Sequence, residues 1–106
     1  MARACGFLLS LLLSLPIQAA DGIGDARQRE LANLLIQDCG SCHGLRMKGG
    51  LGPALQPKNL AGKSAEYLSG VILEGRVGSA MPAWNAILTP GEARWIAERL
   101  LRGAAP

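Results

Sequence analysis

Five consecutive residues, Cys39-Gly40-Ser41-Cys42-His43, constrain this chain more than any other stretch. On a helical turn, residues three and four apart share a face, so two thiols and an imidazole can address one object together. In a C-x-x-C-H arrangement the thiols add to the two vinyl groups of a haem and the imidazole ligates its iron. Other uses of the pair fit less well. A thioredoxin-like redox pair needs a βαβ context, and no strand-like alternation precedes Cys39. A zinc centre needs about four protein ligands, whereas Cys39, Cys42 and the single histidine make three. A Cys39–Cys42 disulfide would close a tiny loop and contribute little by chain entropy. The motif therefore reads as one covalently attached haem c, with Cys39 and Cys42 as the thioether residues and His43 as an axial ligand.

Haem iron has a second axial position, and the absence of another histidine excludes bis-histidine ligation within one chain. Methionine is the usual alternative in electron carriers and raises the reduction potential. Met47 sits four residues after His43, on the same local turn, and cannot reach round the porphyrin. Met81 lies 38 residues beyond His43, ample to cross the ring edge and return. Its setting, Gly78-Ser79-Ala80-Met81-Pro82-Ala83-Trp84, is a loop in which Pro82 fixes φ. Met81 is the expected second ligand. The Trp84 indole N–H either donates to a haem propionate or the ring simply packs. An enzyme or gas sensor would need a vacant iron position and a distal polar group. The distal candidates here are Met81 and apolar neighbours, so the expectation is an electron carrier without catalytic residues.

The N-terminus has the outline of a secretory signal: a basic start at Arg3, an apolar run over residues 7–17 broken by Pro16, then small residues. The run falls short of the about 20 residues that span a bilayer, which argues for export and against a membrane anchor. Cleavage after Ala19, or one residue later, leaves a carrier domain over residues 20–106. Processing removes Cys5, so Cys39 and Cys42 are the remaining cysteines, and removes Arg3, leaving 10 basic against 8 acidic residues. So small an excess, with aromatic residues scarce, excludes a nucleic-acid binder. The processed chain buries a modest core, which a covalently bound apolar cofactor would staple.

The remaining pattern predicts an all-α domain of three main helices around one haem. A helix over 26–37, capped by Asp25, carries Leu31, Leu34 and Leu35 on one face and delivers the cysteine motif. Residues 44–57, rich in glycine and proline, read as loop. Ser64 caps a second helix ending at Glu74, with Leu68, Val71 and Ile72 inward and Gly75 as its stop. Thr89-Pro90-Gly91-Glu92 combines a capping box with proline at the first helical position. The helix it opens runs to Arg102, with Ala93, Ile96, Ala97 and Leu100 forming a stripe toward the first helix. Trp95 either covers an edge or packs.

The haem motif, Gly52-Pro53 and Met81-Pro82, set between a leading and a closing helix, together resemble the class I cytochrome c family across essentially the whole processed chain. More narrowly, residues 39–55, the loop 76–84 and Glu92-Ala93-Arg94-Trp95-Ile96 are similar to small monohaem cytochromes found with the haem-cd nitrite reductases of denitrifying bacteria. The resemblance implies a periplasmic monomer, an orthogonal pairing of first and last helices, and His/Met iron. It also implies that the Pro53 carbonyl accepts the His43 ring N–H. It implies redox-protein partners: electron delivery to nitrite reductase, or electron acceptance during maturation of that enzyme's d-type haem.

Charge placement adds an expectation about docking. Residues 44–65 carry Arg46, Lys48, Lys58 and Lys63 and no acidic residue, whereas Asp21, Asp25, Glu30 and Asp38 precede His43. This asymmetry makes the molecule a dipole, and the basic stretch is expected to rim the exposed haem edge and meet an acidic patch on the partner.

Overall fold

The computed structural model describes Met1 and residues 22–104. The signal expected over residues 1–19, its cleavage site, Cys5 and Asp21 lie outside the described residues. Among the described residues every regular element is helical, as an all-α reading requires. The elements are α1 (Asp25–Leu34), α2 (Gly40–His43), α3 (Ala65–Glu74) and α4 (Pro90–Arg102). A π-helical turn, Leu35–Cys39, joins α1 to α2, and a short 3₁₀ turn, Pro57–Asn59, lies in the long loop.

The first helix differs from expectation at both ends. Its N-cap is Gly24, which offers no side-chain cap. Asp25 is instead the first helical residue, where its charge suits the positive end of the helix dipole. Gln28 Nε2 donates to the Ile23 carbonyl at 2.8 Å, tying down the preceding chain. At the far end the helix does not stop at Gln37. It widens through the π turn and continues without a break to His43. Leu31 and Leu35, one turn apart, are fully buried on the core face, and Leu34 is half-buried beside them.

α3 begins as expected, with Ser64 Oγ accepting from the Tyr67 N–H at 3.0 Å. Leu68 and Ile72 point into the core, whereas Val71, expected inward, stays half-exposed. α4 opens with the complete capping box. Thr89 Oγ1 accepts from the Glu92 N–H at 3.2 Å and Glu92 Oε2 accepts from the Thr89 N–H at 3.0 Å. Ala93, Ile96, Ala97 and Leu100 are all buried, and the two alanines allow close packing of α4 on α3 and its contact with α1. Trp95 packs half-buried against this core, with the Arg99 guanidinium 6.0 Å from its ring centroid.

The core also takes Met47, which is 1% exposed and stands at φ 58°, a conformation unusual for a residue with a side chain. Burial of its thioether and two backbone bonds hold it there. Its N–H donates to the Gly44 carbonyl and its carbonyl accepts from the Leu55 N–H, both at 2.9 Å.

One side chain links the chain's two ends. Glu92 completes the α4 cap and also accepts from Arg27 Nε of α1 at 2.6 Å, while Arg27 Nη1 reaches Glu30 at 2.8 Å. The Arg27 guanidinium, and after it the Thr89 N–H, hold the Glu92 carboxyl below the usual carboxylate range. A carboxyl lowered in the folded state stabilises at pH values above its unfolded pKa, and that stability is lost as pH falls through the folded value. Glu92→Gln should therefore lower stability at neutral pH and flatten the acid limb of a thermal-melting pH profile. Thr89→Ala should cost about 1 kcal/mol through loss of the cap. A Glu92→Gln melting curve parallel to wild type between pH 3 and 7 would refute the linkage.

Candidate cofactor site

The first half of the site is built by the end of the long first helix and the loop that folds back on it. Cys39 closes the π turn, and Cys42 and His43 stand in α2, so both cysteines and the histidine arrive on consecutive helical turns. Both cysteines are free thiols of intermediate exposure. Burial first, and then the neighbouring Asp38 carboxylate, push the Cys39 thiol up to about 11. Such a thiol stays protonated at neutral pH, the opposite of the lowered value that marks a reactive redox dithiol.

The loop after His43 satisfies carbonyls that the helix end leaves open. The Gly49 N–H donates to the His43 carbonyl and the Gly52 N–H to the Cys42 carbonyl, both at 2.8 Å. This brings Gly52 and Pro53 against the imidazole. A Cβ on Gly52 would stand 2.7 Å from His43 Cε1 and 2.8 Å from Nδ1, so only glycine leaves room for the ring. The Pro53 carbonyl oxygen lies 2.7 Å from His43 Nδ1. A carbonyl can only accept, so Nδ1 is the donor in this bond; in a neutral ring so held, Nε2 is the nitrogen with the lone pair that metal ligation needs. The sequence picked out Pro53, but Gly52 only as part of a motif; its contact with the ring appears only once the loop has folded back.

The second half hangs from the end of α3. Met81 and Trp84 are half-buried and pack against the same hydrophobic core that Cys39 touches. Within the loop, the Arg76 N–H donates to the Met81 carbonyl at 3.2 Å, and Ser79 Oγ bridges the Arg76 carbonyl at 2.7 Å and the Met81 N–H at 3.3 Å. The Trp84 and Asn85 N–H groups then donate to the Ile72 and Leu73 carbonyls at 3.1 and 3.2 Å. Met47, by contrast, is consumed by the core.

The donor set fits a covalently held haem: two free thiols, an imidazole oriented through Nδ1, and a half-buried thioether. Among the described residues no group of three or more His, Cys, Asp or Glu side chains gathers to hold a metal ion. Among those residues, too, no helix is long and apolar enough to cross a membrane. Elsewhere on the surface Arg46 and Lys58 flank a concavity of about 310 Å³ floored by Met47, Leu55 and Pro57 and closed by Gly103 and Ala104. Lys48 and Lys63 are exposed. The basic stretch is therefore on the surface, with part of it beside the end of α4.

Comparison with known proteins places the chain among small c-type cytochromes. The family described as cytochrome C oxidase, cbb3-type, subunit III, matches residues 26–98. Over 96 residues the chain is 54% identical to cytochrome c55X of Paracoccus denitrificans (strain Pd 1222), covering 90% of this chain and 93% of the relative. Among solved structures, the c-type cytochrome NirC superimposes with a TM-score of 0.76 at 49% identity, over 79% of this chain and all of that one. The dihydro-heme d1 dehydrogenase NirN, solved in complex with DHE, superimposes with a TM-score of 0.62 at 32% identity, over 70% of this chain but 16% of its own.

Gly52→Ala should force the imidazole off the Pro53 carbonyl. A histidine that loses this hydrogen bond becomes a weaker donor to ferric iron. The expected outcome is a raised reduction potential in an equilibrium redox titration, with helix content unchanged. An unaltered potential would mean that the ring is not held by this contact.

Proposed function

Because the chain belongs to the cytochrome c55X family of small c-type cytochromes, we propose that it is a periplasmic one-electron carrier of the denitrification system. Residues 1–19 serve as the export signal and residues 20–106 form the carrier. The observation that carries the reading is the His43 ring, tethered by Nδ1 to the Pro53 carbonyl, on the same run of helix as the free thiols of Cys39 and Cys42. Covalently bound haem c supplies a one-electron iron couple. Cys39 and Cys42 would hold it by thioether bonds, and His43 Nε2 would ligate its iron. The Pro53 carbonyl keeps the ring in one tautomer and orientation. Met81 would provide the second protein ligand to the iron, an arrangement that suits a carrier and not an enzyme. Trp84, half-buried against the same core as Met81, either would donate its indole N–H to a propionate or simply packs.

Two directions of transfer suit such a carrier: donation to nitrite reductase, or acceptance of electrons during d-type haem maturation. The likeness to a segment of a dihydro-heme d1 dehydrogenase favours the second. A dehydrogenation releases two electrons and two protons, so two molecules of a single-haem acceptor would each take one electron while the protons pass to solvent. The basic stretch at Arg46, Lys48, Lys58 and Lys63 would guide this docking to an acidic patch on the partner.

Met81→Ala should abolish the weak far-red sulfur-to-iron band and admit carbon monoxide. It should lower the potential by a sizeable part of the roughly 0.8 V range that axial ligands span. Met47→Leu should alter none of these, although it trims the core. Equal effects at both positions would overturn the ligand assignment. Docking is read from rates. Exposed charges lose their reach beyond about 8 Å at physiological ionic strength, so the second-order electron-transfer rate should fall with salt. Reversing all four basic residues should remove that dependence; a salt-insensitive native rate would reject docking through this stretch.

A further inference from the structure

We propose that Gly75 is the positioning residue for Met81: by lacking a side chain it lets the backbone of residues 81–83 close onto the end of α3, and this contact sets where the thioether sits. The inference rests on the reading of Met81 as the second axial ligand. Gly75 stands at φ 68° and ψ −167°, a region that residues with a side chain essentially never occupy. A Cβ there would lie 2.7 Å from Ala83 N, 2.7 Å from the Pro82 carbonyl carbon and 2.8 Å from the Met81 carbonyl oxygen. All three are backbone atoms of the ligand loop, so no rotamer change could relieve the contact. The loop itself would have to move, carrying the Met81 Cα with it.

Hydrogen bonds make this contact a seam. The last carbonyls of α3 are taken in order: Val71 by the Gly75 N–H at 2.8 Å, Ile72 by Trp84 and Leu73 by Asn85. On the other side of Met81, its own carbonyl accepts from the Arg76 N–H at 3.2 Å. Met81 is thus held on both sides by bonds to the chain that runs into and out of Gly75. A plain helix stop is the competing reading, since glycine commonly ends helices with a positive φ. A helix stop needs the dihedral but not the close contact. Two other glycines separate these requirements: Gly62 at φ 79° and Gly78 at φ 80°, the latter in the ligand loop, have nothing within 4 Å of a built Cβ. They share the positive φ and lack the neighbour.

The test compares holocytochromes carrying Gly75→Ala, Gly62→Ala and Gly78→Ala, reading the ferric far-red band, carbon monoxide binding to the ferrous form and far-ultraviolet circular dichroism. Gly75→Ala should lose most of the band and bind carbon monoxide while keeping its helices; the other two should keep the band despite lower melting temperatures. Gly75→Ala with an intact band and no carbon monoxide binding would overturn the proposal, as would equal band loss in all three. A wild-type protein without the band would instead refute Met81 ligation itself, and the proposal with it. If Gly75→Ala yields no folded holoprotein, the native protein decides. Displacing Met81 with cyanide should speed amide exchange at Arg76, Trp84 and Asn85 relative to Ala93 in α4. Unchanged protection at those three amides would show that the side chain moves independently of the seam, which overturns the proposal.

Discussion

The hydrogen bond between the Pro53 carbonyl and His43 Nδ1, 2.7 Å long, decides which nitrogen of the one histidine remains free, and most of the neighbouring loop exists to make it. A proline can sit there because its missing N–H is not needed: the neighbouring donor, Gly52 N–H, is already committed to the Cys42 carbonyl. Gly49 does the same for the His43 carbonyl, so the loop both caps the helix and aims the ring. One short segment, residues 39–55, therefore contains the thiols, the imidazole and the group that orients it. Local closure of this kind carries a small loop-entropy cost.

The other half of the site is organised differently. Met81 has no local helix beneath it and takes its place from a loop that doubles as the C-terminal cap of α3. The two halves meet only through the core on which both rest, and α4 contributes much of that core without supplying a proposed ligand. Ala93 and Ala97 let α4 approach α3 closely, and Glu92 ties α4 to α1 through Arg27. A change on α4 can thus reach both axial positions by shifting α1 against α3.

Features carried by residue type and spacing were legible in the sequence. The C-x-x-C-H turn, the Ser64 cap, the capping box at Thr89 and Glu92, the buried stripe of α4 and the Gly75 helix end all follow from local chemistry. The all-α architecture followed from them. What escaped depends on contacts between distant segments or on departures from regular helix. Asp25 has the chemistry of a cap, but the helix begins one residue earlier because Ile23 and Gln28 tie the chain at that point. The π turn at Leu35–Cys39 is invisible to a 3.6-residue periodicity, since it changes the period itself. Val71 matched an apolar face yet lies half-exposed, while Leu68 and Ile72 on the same helix are buried. Met47 read as a spare methionine near the cofactor, and its φ of 58° and deep burial follow from how residues 44–55 fold back on the helix.

The closest steric restrictions at this site are imposed by side chains that are missing. At Gly52 a Cβ would strike the His43 ring, and at Gly75 it would strike the backbone of residues 81–83. Each glycine places rigid backbone where a flexible side chain would otherwise intervene, Gly52 against the ring presented by α2 and Gly75 against the loop that carries Met81. For a one-electron carrier this has a physical use. A site whose donors are fixed before the charge changes needs little rearrangement when it does, which is the logic of preorganisation applied to electron transfer. A long side chain packed between ligand and support would bring its own rotamers to that interface. Backbone packed against ring or backbone has few, so the ligand geometry is set by the fold itself, and a single added methyl group at either glycine acts directly on a proposed ligand.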